Sequence, residues 1–396
     1  MLSGAFLLKN KEEEMMQERR MDGEWVSIRS SQTCPVCGSR RGRCSMLIDP
    51  MDQHIIFYKC KYKENNRERS GWYIHLPHEV DGIPVQSHTP KYINLADFKQ
   101  TSITKEDIAL WDAVYREMRK IFFSLTGSFL YPEHKENLLE RGFSIEEIER
   151  IGFFSVPRNE KIIFNGYKCS IRTAIITELE KKFNPNSLLK VPGFLKCNKN
   201  GSDFVIFKNS IFNNETKKFE DLDAYFIPYI DEEGKIAGLQ FRLNTLLKDA
   251  SGKSMRYLWY SSKNISCGSP IDYFTPKELS DDNVILITEG AIKAKYAASR
   301  LKIRALAEAG VGNYRRLIYV LQKIEELENK RYRILLALDM DKYTNKDVIN
   351  AEIKTISILL SLGYSVTLLE WNVLEGKGID DKIKNFGIKD FRYISI

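Results

Sequence analysis

From residue 284 onward, short apolar runs alternate with stretches of helical period, and that alternation constrains the fold more than any other feature of the chain. The pattern predicts a strand at Val284–Thr288, a helix at Ala291–Arg300, a short strand at Ile303–Leu306 and a helix at Asn313–Asn329. A buried strand follows at Ile334–Leu338, then a helix at Asp347–Leu362 and a strand at Ser365–Trp371. Strands joined through helices run parallel, so this segment predicts a mainly parallel sheet with helices on both faces. Chemistry in such sheets sits at the carboxyl ends of the strands.

Acids stand at those ends. Glu289-Gly290 closes the first strand, Asp339 and Asp341 follow the ILLAL run, and Asp380-Asp381 lie in GKGIDD beyond the last strand. Carboxylates crowded together repel unless a hard cation separates them, and Mg²⁺ or Mn²⁺ suits oxygen ligands of this kind. One or two such ions clamp phosphate oxygens in phosphoryl transfer. Taken singly, each acid also reads as a helix cap, which strand-to-helix turns favour. Repetition at successive strand ends is what points to a site.

The strand ending in Glu289-Gly290, with the later strand leading into Asp339-x-Asp341, resembles the Toprim domain of bacterial primases, type IA and II topoisomerases and some nucleases. That resemblance implies a Rossmann-like parallel sheet, Glu289 as a metal or acid–base carboxylate, and Asp339 and Asp341 as metal ligands. GKGIDD is similar to the acidic motif after the Toprim sheet of bacterial primases, which implies that Asp380, with Asp381 beside it, joins the site. Lys293 departs from the primase pattern, which carries an acid four residues after the Glu. A lysine there removes a negative charge from the site and offers a cation to nucleotide or DNA phosphates.

The resemblance to primases extends upstream. LLERGFSIEEIERIGF is similar to the paired short helices that open the primase core. IPYIDEEGKIAGLQFRLN followed by MRYLWYSS resembles its strand–turn–strand and basic-Tyr-Leu motifs. The match implies that Arg242 and Arg256 face the acids and bind the template backbone or an incoming triphosphate, a task suited to guanidinium forks. Tyr257, Trp259 and Tyr260 either stack on bases or pack within a core. VPGF at 191–194, WYSS at 259–262 and GKGIDD at 376–381 also resemble motifs of a Toprim-bearing family of phages and mobile elements with an N-terminal cysteine module.

Four of the seven cysteines, Cys34, Cys37, Cys44 and Cys60, fall within 27 residues, while Cys169, Cys197 and Cys267 are scattered. Cys34-Pro-Val-Cys37-Gly has the spacing of a zinc knuckle, and four thiolates complete a structural zinc site. Cys44 and Cys60 are the favoured second pair, with His54 or His75 as replacements for either. A redox role for the first pair lacks the βαβ surroundings it needs. Arg40, Arg41 and Arg43, with Lys59, Lys61 and Lys63, give the module a basic rim for single-stranded DNA, or a solvated surface around a structural metal.

The net charge of +7 suits a polyanionic partner without demanding one. No apolar run is long enough to span a membrane, and the N-terminal stretch lacks the order of a secretory signal, so a cytoplasmic location is expected. SGKS at 251–254 lacks the upstream glycine of a phosphate loop, so any replicative helicase is expected to be a separate protein.

The expected fold is α/β: a zinc ribbon over 1–80, a helical connector over 81–130, a mixed α/β primase-core subdomain over 131–280 and a Toprim domain with a C-terminal extension over 281–396. The expected activity is synthesis of short primers on single-stranded DNA from nucleoside triphosphates, in replication of a phage, plasmid or other mobile element. A Toprim nuclease and a non-catalytic, primase-derived DNA-binding factor are the alternatives, and Lys293 speaks for the last.

Overall fold

The computed structural model describes residues 24–28, 33–40, 44–48, 55–62, 68–69, 72–75 and 103–396, apart from 200, 215, 249–251, 253, 264, 311 and 344–345. Arg41, Arg43, His54, Lys63 and residues 81–102 of the expected connector lie outside the described residues. The chain divides into two units, residues 1–93 with 356–361, and residues 94–355 with 362–396.

The N-terminal unit is a small antiparallel sheet. Its strands Glu24–Ile28, Cys44–Ile48, Ile55–Cys60, Trp72–His75 and Glu68–Arg69 lie in that order. Its buried cluster holds six residues, Ile28, Cys34, Val36, Cys44, Tyr58 and Cys60. Half of them are cysteines, so apolar burial alone gives this sheet little stability and a cross-link through the thiols is called for.

The second unit has two cores. One is built on the helix Lys105–Thr126, whose start is fixed by Thr104 and Asp107 in a reciprocal cap. Trp111, Val114, Tyr115, Met118, Ile121 and Phe122 line its buried stripe. They meet the helix Ile171–Glu180 and a four-stranded antiparallel sheet in the order Ser254–Trp259, Ile236–Lys248, Ala224–Ile230 and Phe154–Ser155. The turn joining the two longest of these strands is held by Asp231, whose carboxylate accepts the backbone N–H groups of Glu233 and Lys235.

VPGF and WYSS meet in this core. Gly193 has φ +90°, and a Cβ there would stand 2.1 Å from the Tyr260 ring. Tyr115 donates to the Pro192 carbonyl at 2.9 Å. Tyr260 is wholly buried, which decides for packing within a core over stacking on bases, and Trp259 packs on Tyr229 with ring centres 4.6 Å apart. These two motifs are packing motifs, with Gly193 required by both its backbone angle and the ring against it.

The other core surrounds a six-stranded sheet in the order Asp272–Phe274, Arg304–Glu308, Val284–Glu289, Arg333–Leu336, Val366–Glu370 and Arg392–Ser395. The four inner strands are parallel, as the alternation predicts, and both edges are antiparallel. The edge strands are three and four residues long, too short to show a period in the sequence. Helices Ala291–Leu301, Tyr314–Glu328 and Lys346–Ser361 follow the first three parallel strands in chain order, and a further helix spans Ile379–Phe386. The class is mixed α/β throughout: a four-cysteine sheet, an antiparallel core and a mostly parallel C-terminal sheet.

Candidate functional site

Two constellations emerge, one in each unit. In the first, the thiols of Cys34, Cys37, Cys44 and Cys60 all lie within 4.8 Å of one another. Cys37 and Cys44 sulfurs are 3.9 Å apart, and Cys44 and Cys60 sulfurs 3.7 Å. A tetrahedral zinc with Zn–S bonds of about 2.3 Å has an S···S edge of about 3.8 Å, so these spacings fit the metal. The turn is prepared for it: Gly38 donates to the Cys34 carbonyl, and Tyr62 N–H reaches the Cys60 sulfur at 3.4 Å. Burial pushes the Cys44 thiol well up, so an isolated thiolate is disfavoured there and a bound cation would be needed to hold one. The thiols that converge with Cys34 and Cys37 are thus those of Cys44 and Cys60. Of His75 only the strand backbone is described.

In the second, acids gather at the ends of the parallel strands. Glu289 ends its strand directly opposite Glu308 on the neighbouring strand. Gly290 then turns the chain at φ +84° into the helix Ala291–Leu301, its N–H bonded to the Glu308 carbonyl at 2.7 Å. Thr288 ties the adjacent strand by donating to the Ala337 carbonyl at 2.6 Å. Asp339 and Asp341 flank the start of a short 3₁₀ turn, Met340–Tyr343. Lys342 anchors that turn from beneath, buried between Glu352 and Glu370 at 2.7 Å from each. Met340 N–H bonds to the Lys377 carbonyl, which brings the GKGIDD loop against the turn. Asp380 thereby enters the group from the first turn of the helix Ile379–Phe386, while Asp381 is exposed.

Three cations meet these acids. Lys293 Nζ stands 2.5 Å from Asp339, and Lys377 Nζ is 2.8 Å from Asp341 and 3.6 Å from Asp339. Arg141, at the end of the helix Pro132–Glu140, reaches Asp380 at 3.5 Å and the Tyr257 hydroxyl at 3.4 Å. Burial pushes the Glu289 carboxyl up, and the charges of Asp339 and Asp341 push the same way. Burial likewise raises Asp380, with Asp381 and Asp339 adding to it. Burial works against the Lys293 charge, but Asp339, Glu289 and Asp380 outweigh it and the ammonium is favoured.

The donor chemistry fits a hard cation. All the ligand atoms are carboxylate oxygens, and the buried Oδ1 of Asp380 has no hydrogen-bond partner among the described residues. The acids are nonetheless spread. Among the described residues, three or more metal-ligating side chains come within 4.8 Å of one another only at the four cysteines and at Glu133, His134 and Asp223. That latter group is satisfied internally. Arg158 bonds both carboxylates, and His134 lies between Ser155 at 2.8 Å and Asp223 at 3.2 Å.

Of the arginines read from the sequence, Arg242 is 5% exposed and stands opposite Tyr257 in the sheet, on the Arg141 side. Its Nε has no hydrogen-bond partner among the described residues. Arg256 is exposed and, by strand alternation, lies on the other face from Tyr257, so it is not brought to this group. Sequence reasoning missed two residues. Arg141 carried no local signal. Glu308 ends a parallel strand as the other acids do, and its carboxyl is pushed up to about 8 by burial and by Glu289.

Fold and site together define a mixed α/β protein with a four-cysteine module and an acid-lined, mostly parallel sheet. Residues 278–390 match the family described as "Domain of unknown function (DUF3854)". No curated protein matches the chain. Distant structural similarity extends to primases. The zinc-binding and RNA polymerase domains of the Aquifex aeolicus primase align at TM-score 0.47 and 16% identity, over 72% of this chain and 60% of that one. The chain therefore spans about 60% of the length of that relative. The RNA polymerase domain of Mycobacterium tuberculosis primase DnaG aligns at TM-score 0.47 and 13% identity, over 72% and 81%. A DNA primase domain from Pseudomonas aeruginosa aligns at TM-score 0.41 and 16% identity, over 69% and 74%. No described helix is long and apolar enough to cross a membrane.

Proposed function

We propose that the chain is a primase-type nucleotidyltransferase that extends short primers on single-stranded DNA from nucleoside triphosphates. The observation that carries the reading is the gathering of Glu289 and Asp339 beyond two strand ends with Asp380 from the first turn of a helix, and Arg141 bonded to Asp380 from another core element. Glu289, Asp339 and Asp341 would hold a Mg²⁺ or Mn²⁺ ion, which when bound neutralises phosphate oxygens. Arg141 and the nearly buried Arg242 present guanidinium groups suited to an incoming phosphate. Lys377 orients Asp341, and Lys293 holds Asp339 in place until a phosphate or cation competes for it. Water is kept from the base of the group by the buried Thr288, Ile287 and Ala337 around the strand ends. The four-cysteine module would hold structural zinc and present Arg40 to the template strand.

The test is primer synthesis on mixed-sequence single-stranded DNA with labelled nucleotides and Mg²⁺ or Mn²⁺, comparing the native chain with Asp339→Ala/Asp341→Ala. Short products that vanish in the variant support the reading. Degradation of the template by the native chain alone would turn it towards a nuclease. A second reading rests on Lys293, whose amine already stands at Asp339 where a metal ligand is expected. It makes the chain a DNA-binding factor on a primase scaffold, and predicts retained DNA binding with neither synthesis nor cleavage.

A further inference from the structure

A second group of cations stands away from the acidic strand ends. The helix Lys105–Thr126 carries Arg116, Arg119 and Lys120, and the helix Ile145–Ile151 carries Arg150. All four line a cleft of about 590 Å³ floored by Ile151, Pro228 and Phe274. Positions 116, 119 and 120 are i, i+3 and i+4 neighbours on one helix face, roughly 5–6 Å apart, where like charges repel.

The cations are poorly answered within the protein. Arg116 bonds Asp112 at 2.6 Å. Among the described residues, Arg119, Lys120 and Arg150 have no carboxylate partner. Arg119 instead donates to the Glu149 carbonyl at 2.8 Å and lies 3.6 Å over the Phe129 ring, its buried Nε without a hydrogen-bond partner among the described residues. Arg150 donates to the Thr275 carbonyl at 3.1 Å. Three acids also line the cleft: Glu233 is bonded by Lys105 and Lys235, Asp231 holds its own turn, and Glu232 lies between them in sequence. Burial lowers the Arg119 pKa, the Glu149 charge offsets this only in part and Arg116 adds to the lowering, which an anion in the cleft would relieve.

The cleft is separate from the acidic group. Lys295, which lines it, is two residues from Lys293 on the same helix, about 200° around the axis. Lys295 is itself taken by the buried Asp272. An apolar floor, a helical row of cations and an opening to solvent suit closely spaced phosphates rather than a lone carboxylate. We propose that this cleft is a second phosphate-binding site, which takes the phosphates of a single-stranded nucleic acid backbone or of a free nucleoside triphosphate.

The test compares the full native chain with Lys120→Ala/Arg150→Ala, two exposed side chains whose removal breaks one hydrogen bond to a backbone carbonyl. Binding of a fluorescent oligothymidylate and of ATP is measured across a salt series, with thermal melting to confirm the fold. If a strand occupies the cleft, oligonucleotide affinity falls about twentyfold at 0.1 M salt. The slope of log affinity on log salt becomes shallower by about 1.4, as expected for two lost contacts to a single strand. If the occupant is a free triphosphate, ATP affinity falls while oligonucleotide binding keeps its native slope. Arg119→Lys, which keeps the charge, should retain most of either binding. Native affinity and slope for both probes in the double variant overturn the proposal. Primer synthesis takes no part in this readout, so it stands or falls apart from the acidic site.

Discussion

Replacing Lys293 by Met tests whether the acidic group is a cation site that this lysine partly fills. In the native chain four carboxylates, Glu289, Asp339, Asp341 and Asp380, face three cations, Lys293, Lys377 and Arg141. The substitution leaves four against two. Asp339, only 5% exposed at its side chain, loses the amine at 2.5 Å and keeps Lys377 at 3.6 Å. Breaking a buried pair costs about 3–5 kcal/mol, and the remaining lysine argues for about 3. Melting should fall by roughly 6 °C in the absence of divalent metal.

Metal binding should move the other way. Two unit charges about 4 Å apart interact by about 1 kcal/mol in water and about 4 kcal/mol near a protein surface. For a divalent ion these figures double, so the repulsion lifted by removing Lys293 is at least about 2 kcal/mol. Mn²⁺, followed by calorimetric titration or by its electron spin resonance, should therefore bind Lys293→Met at least tenfold more tightly than the native chain. Saturating Mg²⁺ should recover most of the lost melting temperature. Lys293→Arg keeps the charge and should change neither affinity by as much. Equal or weaker Mn²⁺ binding by Lys293→Met would refute the reasoning, because the acids would then not be competing for a cation with the lysine.

Other expectations follow from the same geometry. Cys37→Ser removes one of four converging thiols, so bound zinc, measured by a chromogenic chelator, should fall below half of the native value while melting of the second unit is kept. Gly193→Ala combines a positive backbone angle with a Cβ 2.1 Å from the Tyr260 ring. It should cost about 3 kcal/mol in a urea titration, and a loss under about 1 kcal/mol would mean that the ring is free to move. Lys295→Met strands Asp272, which has no exposure, and should cost about 4 kcal/mol at neutral pH. Burial already raises the Asp272 carboxyl above its ordinary 3.8, against the pull of Lys295, and removing the lysine raises it further. A carboxyl raised in the folded state takes up its proton there first. The variant's deficit should thus be smallest below the unfolded value and grow as pH rises through the folded one, which urea midpoints at mildly acid and neutral pH will show. A deficit that does not vary with pH would place the damage elsewhere.

Much of the C-terminal half was visible because its signals are local. An apolar run such as VILIT can only be buried on both faces, and a glycine after the acid permits the tight turn into a helix. Strand and helix therefore come as a unit, and three such units in a row are enough to predict a parallel sheet. The four cysteines were visible for a related reason, since two thiols with two residues between them close on one metal within a single turn. The edge strands Asp272–Phe274 and Arg392–Ser395 carry no such signal. Their strand character comes from pairing with longer neighbours already in place.

The side chains that escaped the sequence did so for physical reasons that differ. Arg141 meets Asp380 across 239 residues of chain, and nothing near either one foretells the other. Arg256 and Arg242 read alike in the sequence, yet alternation sends them to opposite faces of the sheet, and the register Arg242↔Tyr257 decides which one turns towards Arg141. Glu308 sits in ALAEAG, two residues beyond the strand end expected at Leu306, where a short run of small residues carries little strand signal. Once the parallel register sets it opposite Glu289, its proton is the cheaper alternative to a fifth charge, and Asn313 N–H at 3.1 Å holds the carboxyl in that position. The charge of this group is therefore set by which strands lie side by side. Lysines at 293 and 377, an arginine at 141 and a Glu308 carboxyl pushed up to about 8 leave the four other acids a small net negative charge, which favours a divalent cation over a further anion.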